Sequence, residues 1–425
     1  MTQLILFTKQ FPFGHQESYL FDELPYLLKA FPNLVIVPYE EYVYDEGKNR
    51  LKNDLNVRVY KINQQLSTPS FVSKVIREFA SLKLLFSEAF IGREGRKHLS
   101  KIISLLAQLR HLNQSESSLR SFLLAETNPG DKIILYNYWL HRGVVISHFL
   151  KQRLNRKIKV VSRAHAYDLY HRDWLTMLAN PKTMFLPFEQ TKIEACDRIM
   201  SISNHGLRHF NRIFPSNSAR FVLSRLGVNA PQKAILDDVR EPSAPLLIMS
   251  CSGVDSRKRV YLIPSILAGL ECDFKWVHFG GGKDDDIARL KSEILKFGLE
   301  ARCELKGPVP HSAIITYYES QHVDLFINVS TAEGIPVSLM EAASYAVPMI
   351  ATDTVGNPEI VDNTNGFLIP IDFNPAEVSA LINAWWMDPA AVLAKRKAAR
   401  STFMHAYNAS INYSEFVDEL KKDFV

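Results

Sequence analysis

The chain has 425 residues, of which 47% are hydrophobic and 22% are charged, with 18 glycines and 21 prolines. This composition is typical of a soluble globular protein and excludes collagen-like, disulfide-scaffold and intrinsically disordered classes. The net charge is only +5, but residues 1–240 hold 34 basic and 21 acidic side chains, whereas residues 241–425 hold 16 and 24. A basic first half can meet nucleic acid, an anionic membrane surface or a phosphorylated substrate, and composition does not choose among these.

In the first half, apolar runs typical of buried strands alternate with helical patterns. The predicted strands cover residues 4–9, 34–39, 132–139, 159–165 and 198–203. Between the first two, Tyr19, Leu20, Leu24, Leu27 and Leu28 recur at helical spacing. Strands that alternate with helices predict a parallel sheet with helices on both faces.

A basic, apolar segment from Lys74 to Leu112 interrupts this alternation, with eight basic and three acidic residues. The apolar stripe of its second helical part consists of Leu99, Ile102, Ile103, Leu106 and Leu109, and Lys97, Lys101 and Arg110 lie off the stripe. Two interpretations stay open. The helices pack their stripe on the domain core and leave charge in water, or their basic face lies on an anionic bilayer.

The alternation restarts after a loop at 230–245 that is rich in proline and charge. Predicted strands follow at 246–252, 274–282, 303–307, 324–330, 348–353 and 366–370. The sequence therefore predicts an α/β protein of two doubly wound domains, residues 1–240 and 241–406, and a terminal helical segment at 407–425.

Cysteine usage and hydropathy bear on the compartment. The chain has four cysteines, Cys196, Cys251, Cys272 and Cys303. Their spacing matches neither a CxxC motif nor a set of metal ligands. The amino terminus lacks a basic region followed by a long apolar core, and no stretch reaches the roughly 18 apolar residues of a membrane span. We therefore expect a cytoplasmic protein in a reducing environment.

The densest functional pattern lies at residues 324–361, where a buried strand ends in a polar loop with Glu333 at the turn. Pro336 suits the first turn of the following helix, which is expected to end near Tyr345. The helix start is surrounded by the amides of Gly334, Ile335, Val337 and Ser338. Unpaired amides and the helix dipole favour an anion there, and Glu333 and Glu341 could accept hydrogen bonds from hydroxyl groups. A nucleotide sugar satisfies both conditions.

This segment resembles the nucleotide-sugar motif of the retaining GT-B glycosyltransferases called family 4. In that family an E-x7-E pair lies between a buried strand and a G-x-P-V-I-A-T strand, and Ala346 stands here where glycine is usual. The resemblance implies that Glu333 contacts hydroxyls of the donor sugar and Glu341 the ribose. It also implies that the loop amides bind the distal phosphate.

A second match is SCSGVDSRKRV at 250–260, which looks like the phosphate-binding loop of the same family. In that resemblance Lys258 neutralises the departing nucleoside diphosphate, and the alternative is a solvated basic turn. Relatives often carry an arginine five or six residues earlier, where Gly253 and Ser252 stand here. Two neighbours, Arg257 and Arg259, are candidates for the second positive charge.

A third match is VSRAHAYDLY at 161–170, which resembles the H-G-x-D-L-Y loop of a bacterial polysaccharide branch. There His165 would lie near the transferred sugar, and Asp168 would shape the loop or the acceptor pocket. A histidine at a strand end can instead be structural. Residues 11–24 and 135–140 fit the same branch, with Gly14 where a glycine pair would approach the diphosphate. Glu17 follows it and, like Asp168, is a candidate for the acceptor pocket or for shaping the loop.

Taken together, the resemblance implies a GT-B fold with two Rossmann-like domains facing a central cleft and a last helix that crosses back to the first domain. The implied activity is retaining transfer of a sugar from a UDP- or GDP-sugar to a glycan or lipid-diphosphate acceptor in polysaccharide biosynthesis. It implies no cofactor and no metal, and the run at 284–286 fits a helix start better than a metal site. We also expect the enzyme to lie on the cytoplasmic face of the membrane and not to bind nucleic acid.

Three alternatives remain at this point. The chain could be another GT-B enzyme acting on a nucleotide sugar, such as an epimerase, although no additional acid–base pair is recognisable. It could be an inactive binding scaffold, because the usual arginine is missing. A nucleic-acid-binding basic half would predict binding that weakens steeply with salt.

Overall fold

The structure is a computed structural model that describes residues 2–14, 17, 19–40, 49–51, 57–62, 102–169, 188–231 and 244–422, with backbone alone at 102–111 and 167. It divides into two compact units. The first unit is Met1–Ser224 with Ser414–Val425, and the second unit is Arg225–Tyr413. The division thus falls after Ser224 and again before Ser414, inside the terminal segment, whereas the sequence placed the first boundary near residue 240.

The first unit contains one parallel sheet whose buried strands carry the predicted apolar runs. Its strands are β1 (Thr2–Thr8), β2 (Val35–Pro38), β3 (Arg58–Val59), β4 (Lys132–Asn137), β5 (Lys157–Ala164), β6 (Arg198–Ser201) and β7 (Phe221–Leu223). Their order in the sheet is β3-β2-β1-β4-β5-β6-β7. The sequence located the five longer strands, and the short strands β3 and β7 extend the two edges.

The helices of the first unit connect these parallel strands. They are α1 (Leu20–Ala30), α2 (Ile102–Glu126), α3 (Arg142–Arg153), α4 (Ala166–Leu169), α5 (Glu189–Ala195) and α6 (Asn204–Ile213). Helix α1 buries Leu20, Leu24 and Leu27 at the predicted helical spacing. These side chains pack on apolar residues of β1 and β2, which places the core between the helix and the sheet.

The second unit is built on a second parallel sheet. Its strands are β8 (Leu246–Cys251), β9 (Phe274–Phe279), β10 (Cys303–Gly307), β11 (Leu325–Asn328), β12 (Met349–Thr352) and β13 (Gly366–Ile369), in the order β10-β9-β8-β11-β12-β13. Its helices are α7 (Ile263–Leu267), α8 (Asp284–Lys296), α9 (His311–Ser320), α10 (Val337–Ser344), α11 (Pro375–Trp386) and α12 (Pro389–Thr402). All six predicted strands are present, and both units are doubly wound parallel α/β structures, as predicted.

Strand order reverses once in each sheet, between β1 and β4 in the first unit and between β8 and β11 in the second. At such a point the connections on either side leave toward opposite faces and open a crevice at the carboxyl ends of the strands. Ligands of open α/β sheets bind there. The loops that follow β1, β4, β8 and β11 are therefore the places to look for a site.

A buried ion pair joins several elements of the first unit. Arg163 on β5 lies 3.1 Å from Glu23 on α1, and both side chains are fully buried. The hydroxyl of Tyr136 donates to Glu23 at 2.7 Å, and Arg163 also donates to the carbonyl of Ser224 at 3.0 Å. Burial raises the pKa of Glu23, and the Arg163 guanidinium opposes this rise. Removing either partner would leave an uncompensated buried charge.

The terminal helix α13 (Ala409–Lys421) contributes its last turns to the first unit. Its side chains Phe416, Val417 and Leu420 belong to the same core as β1 and α1. The ammonium of Lys159, a buried residue of β5, donates to the carbonyls of Glu419 at 3.0 Å and Lys422 at 2.6 Å. A cation at a helix carboxyl end satisfies carbonyls that lack helical partners.

We predict that Lys159→Met lowers the free energy of unfolding of the first unit by about 2 kcal/mol, because charged hydrogen bonds to buried carbonyls are lost. Hydrogen exchange of residues 414–422 should become faster. The matched control is Lys151→Met, whose ion pair with Asp197 is more than one-third exposed on both sides and should contribute little. Unchanged exchange in Lys159→Met would show that this lysine does not hold the helix.

Candidate active site

The second unit brings five polar residues together at the carboxyl edge of its sheet. This second-unit cluster consists of Arg257, Lys258, His311, Glu333 and Glu341. Lys258 lies in the turn after β8, and Glu333 lies in the loop after β11. Because β8 and β11 are neighbours at the reversal of strand order, these two loops meet although 75 positions separate the residues.

Glu333 is the most heavily engaged carboxylate of this cluster. Its Oε1 accepts hydrogen bonds from the Lys258 ammonium, from the Ser330 hydroxyl at 2.7 Å and from the Asn328 amide at 3.2 Å. Burial acts to raise the pKa of Glu333, but Lys258 and Ser330 outweigh burial, so the pKa lies below its usual value. Glu333 is therefore ionised at neutral pH and can accept further hydrogen bonds.

The basic turn is fixed to the Glu333 loop by backbone contacts. The Oδ1 of Asp255 accepts the amides of Arg257 at 2.9 Å and Lys258 at 2.7 Å. The amide of Thr331 in turn donates to the carbonyl of Arg257 at 2.8 Å. The Lys258 side chain is thus presented by an ordered turn and is only 15% exposed.

The two candidates for a second positive charge differ in their surroundings. Arg259 has a left-handed backbone and donates to the carbonyls of Val329 at 2.9 Å and Ile371 at 2.8 Å, which connects the ends of two strands. Arg257 is about half exposed and lies 3.9 Å from Glu333. Of the two arginines, Arg257 therefore contributes its charge to the second-unit cluster, whereas Arg259 donates to backbone carbonyls.

Helix α10 begins after Pro336 and presents its amino terminus beside Glu333. The amides around this terminus are those of Gly334, Ile335, Val337 and Ser338. Among the described residues, none of these four amides donates a backbone hydrogen bond. Unpaired amides at a helix start are suited to an anion. Pro336 is the residue before the helix, whereas the sequence predicted it in the first turn.

Glu341 lies on the second turn of α10, where its side chain is 7% exposed. Its Oε1 is 2.6 Å from Nε2 of His311, the first residue of α9, and the His311 side chain is half exposed. Burial and the nearby Glu341 carboxylate raise the pKa of the Cys251 thiol to about 12, so this thiol is neutral. The sequence did not predict His311 as a partner of Glu341, because a contact between two helices 30 positions apart leaves no local pattern in the sequence.

Two backbone positions control the shape of this loop region. Ala346, the residue at which relatives carry glycine, has a φ of +57°, a conformation that glycine adopts more easily. Gly356 lies against the loop that contains Gly334. A Cβ added at Gly356 would be 1.7 Å from the carbonyl oxygen of Gly334.

We predict that Gly356→Ala displaces the loop at Gly334 and destabilises the second unit by about 1–3 kcal/mol, the usual cost of overpacking. The melting temperature of Gly356→Ala should therefore fall. The matched control is Gly253→Ala, because a Cβ there would meet its nearest atom at 3.7 Å, an ordinary contact. Equal stability of the two variants would contradict the close approach.

The first unit has its own polar group at the carboxyl edge of its sheet. This first-unit cluster consists of Lys9, Glu17, Trp139, His165 and Asp168. Lys9 follows β1, Trp139 follows β4, and His165 and Asp168 follow β5. The cluster therefore lies at the reversal of strand order in this sheet, next to Gly14, which has a φ of +69°.

Glu17 organises this region. It is buried and has a φ of +61°. Its carboxylate accepts the amides of Lys9 at 2.8 Å, Gln10 at 2.9 Å and Phe11 at 2.8 Å, and the indole N–H of Trp139 at 2.6 Å. Of the two roles predicted for Glu17, acceptor binding or loop shaping, these contacts favour the loop.

His165 lies beneath Trp139, with ring centroids 4.3 Å apart. Its Nε2 is 3.0 Å from the carbonyl oxygen of Tyr138, so this nitrogen carries the proton and Nδ1 is the acceptor. Burial, aided by the Arg163 charge, lowers the pKa of His165 to about 3. Asp168 accepts the His165 amide at 3.0 Å and thereby fixes the turn that carries the imidazole, while burial raises the pKa of the Asp168 carboxyl.

The pKa of His165 predicts a pH dependence of stability. The unfolded state binds a proton near pH 6.5 and the folded state near pH 3, so stability is full above pH 6.5 and falls as the pH decreases toward 3, by up to about 1.4 kcal/mol per pH unit. Urea unfolding at stepped pH should show a shallower decrease for His165→Gln than for wild type. His405→Gln, at an exposed position, is the control. Parallel curves for wild type and His165→Gln would contradict the burial of a neutral imidazole.

Other predicted features have the following outcomes. Helix α8 begins at Asp284, and its three successive aspartates occupy the first turn, as expected of a helix start.

Within the described residues, no group of three or more histidine, cysteine or acidic side chains could hold a metal, and no helix is long and apolar enough to cross a membrane. Lys97, Lys101 and the side chain of Arg110, the predicted membrane-facing charges, lie outside the described residues.

The comparisons with known proteins agree with this geometry. Residues 236–402 match the family model described as glycosyl transferases group 1. The match contains the turn with Lys258, the loop with Glu333 and the helix with Glu341, which are the residues on which the sequence resemblance was based.

Curated relatives and solved structures extend the comparison. The chain is 27% identical over 183 residues to the GtfA subunit of the UDP-N-acetylglucosamine–peptide N-acetylglucosaminyltransferase of Streptococcus gordonii, covering 41% of this chain and 34% of that protein. It is 26% identical over 210 residues to the putative colanic acid biosynthesis glycosyltransferase WcaL of Escherichia coli (strain K12), covering 48% and 51%. The chain thus spans between a third and a half of the length of these relatives.

The crystal structure of Anabaena Alr3699/HepE in complex with UDP has a TM-score of 0.69 at 15% identity, with 99% of this chain and 100% of that chain covered. A likeness at this identity establishes the fold. That fold is the GT-B fold that the resemblance implied.

Proposed function

We propose that this chain is a retaining glycosyltransferase that moves a sugar from a nucleotide-sugar donor to a glycan or lipid-diphosphate-linked acceptor during cell-surface polysaccharide synthesis. The observation that carries the proposal is the second-unit cluster. A buried, ionised carboxylate lies beside a lysine and beside four amides that make no recorded backbone hydrogen bond among the described residues. This combination provides donors for phosphate oxygens and an acceptor for sugar hydroxyls.

The donor would be held by the second unit. Its distal phosphate would accept hydrogen bonds from the amides at the start of α10 and from Lys258, with Arg257 as the second cation. Glu333 would accept hydrogen bonds from hydroxyls of the transferred sugar, and Glu341 from the ribose. Because His311 already contacts Glu341, a bound ribose would share this carboxylate with the imidazole or displace it.

The chemical step would need no enzyme nucleophile. The nucleoside diphosphate leaves on the face that the acceptor hydroxyl enters, and a departing phosphate oxygen takes the proton of that hydroxyl. Lys258 and the amides stabilise the negative charge that grows on the leaving group, and their positions are fixed before the reaction. The first-unit cluster would serve the acceptor side, with neutral His165 as a hydrogen-bonding group rather than a proton carrier near pH 7.

The nucleoside diphosphate of the donor and the polysaccharide pathway are proposed from the comparisons. A neighbour of the same fold is described in complex with UDP, and one relative is described as a colanic acid biosynthesis enzyme. We propose a UDP- or GDP-sugar as donor, no further cofactor or metal, and a place at the cytoplasmic face of the membrane where lipid-linked acceptors are exposed.

The proposal can be tested by thermal-shift screening of the full chain against UDP-, GDP- and ADP-sugars, since a ligand that binds the native state raises its stability by mass action. Transfer is then assayed with the stabilising donor and lipid-linked acceptors. A donor that binds but is neither transferred nor hydrolysed would favour a binding scaffold. No stabilisation by any nucleotide sugar would contradict the proposal.

Lys258 gives the most direct prediction. Lys258→Ala should lower kcat by about 10²-fold or more, the usual loss for one well-placed group that stabilises the transition state. Glu341→Ala should mainly weaken donor binding, because ribose contacts are the same in the ground state and the transition state.

A double variant separates catalysis from structure. Lys258→Ala leaves the buried Glu333 without its main counter-charge, which by itself could disturb the loop. Lys258→Ala/Glu333→Gln removes both charges and restores a neutral site. Because Glu333 is itself proposed to bind the donor sugar, activity of the double variant is compared with that of Glu333→Gln alone. If Lys258 has only a structural role, these two activities are equal. We expect stability to recover in the double variant and its activity to fall well below that of Glu333→Gln.

A further inference from the structure

The first unit contains a cavity of about 410 Å³ at the amino edge of its sheet. It is lined by Lys157, Ile158, Lys159, Asp197, Arg198, Ala219 and Arg220. Strand β5 starts at this cavity and ends next to His165, eight residues later. An eight-residue strand spans roughly 25 Å, so the cavity is separate from the first-unit cluster.

The lining of this cavity has four cations and one carboxylate. The carboxylate, Asp197, already accepts the ammonium of Lys151 at 2.7 Å and the amide of Val160 at 2.8 Å, and neither of these residues lines the cavity. Arg198 also lies 3.3 Å from Glu419. Among the described residues, the four cations of the lining thus outnumber the carboxylates of Asp197 and Glu419.

Two of these cations, Arg220 and Lys159, are held in place by neutral carbonyl groups. One nitrogen of Arg220, Nη1, donates to the carbonyls of Glu194 at 2.8 Å and Cys196 at 2.6 Å. Among the described residues, the structure records no partner for Nε and Nη2 of this guanidinium. The ammonium of Lys159 is similarly fixed by the terminal carbonyls of α13. A guanidinium anchored at one edge with donors remaining is suited to phosphate.

We propose that this cavity binds a phosphate-bearing ligand at a site distinct from the donor and acceptor positions. The cavity is larger than a phosphate group alone, so it can take a phosphate together with part of the molecule that carries it. The positive charge of the lining and the fork of donors on Arg220 suit the phosphate. The phosphate could belong to an anionic lipid headgroup or to a soluble phosphate compound, and the chemistry of recognition is the same. This inference does not depend on the proposed glycosyltransferase activity.

The test uses the full chain with Lys258→Gln as background, so that phosphate binding at the second-unit cluster is weakened. Inorganic pyrophosphate is titrated by calorimetry at low salt. Lys157→Gln/Arg220→Gln should weaken binding about 30-fold, because each basic residue near an anionic group contributes about fivefold. The matched control is Lys275→Gln/Lys296→Gln, which removes the same charge from exposed positions of the second unit and should leave affinity within about twofold.

Co-sedimentation with vesicles identifies the source of the phosphate. Vesicles with about one-third phosphatidylglycerol in phosphatidylcholine are compared with pure phosphatidylcholine. Pyrophosphate binding together with anionic-vesicle binding, both reduced by the cavity variant, supports a lipid headgroup. Pyrophosphate binding without vesicle binding supports a soluble ligand.

Equal affinity of the cavity variant and the control variant, or no binding of either probe, would overturn the proposal. If loss of Arg220 lowers the melting temperature, Lys157→Gln alone is used, because Lys157 is exposed and its replacement leaves the carbonyl contacts intact. For this single variant the expected decrease in affinity is about fivefold.

Discussion

The ion pair between Lys258 and Glu333 is the contact on which the second unit's site depends. A carboxylate as buried as Glu333 stays ionised only where cations and hydrogen-bond donors face it, and Lys258, Ser330 and Asn328 provide them. The two residues can meet only because β8 and β11 are neighbours where the strand order reverses. The charges proposed to recognise phosphate and sugar are thus already oriented by fixed partners. A donor would then meet a site that needs little reorganisation, which is the condition under which electrostatic stabilisation is most effective.

The first unit also holds a buried carboxylate, but the groups that donate to it are uncharged. Glu17 is ionisable and buried, and three backbone amides and the indole of Trp139 donate to it. Trp139 in turn lies on His165, whose Nε2 proton is directed to the Tyr138 carbonyl. The tautomer and the ring position of His165 are therefore set by residues on two other loops, those that follow β1 and β4. Glu17 acts on this histidine through the indole, as a positioning residue without direct contact to it.

Much of the fold could be predicted from the sequence, because buried parallel strands leave continuous apolar runs and these runs match β1, β2, β4–β6 and β8–β13. Strands β3 and β7 have two and three residues, too few to show a pattern. At the site, the sequence could place Glu333, Lys258 and Glu341 on their loops but not reveal their partners. The contrast between Arg257 and Arg259 is an example, since they lie two positions apart on one turn, and only the folded structure shows that Arg257 lies near Glu333 while Arg259 donates to carbonyls of other loops. Likewise, His311 and Trp139 become recognisable only when separate loops are brought together.

The parallel arrangement of strands also accounts for the separation of charge within the first unit. Its carboxyl edge holds two carboxyl groups, one lysine and a neutral histidine, so the excess of basic residues in 1–240 is not concentrated there. The amino edge holds a cavity with four cations around a carboxylate that is already paired. Since every strand runs in the same direction, the two edges are separated by the full length of β5 and can bind different groups without interfering. A positive charge at the amino edge can hold an anionic ligand while leaving the electrostatics of the carboxyl edge to Glu17, Lys9 and His165. The basic composition of the first half is thus explained in part by a feature remote from the proposed chemistry.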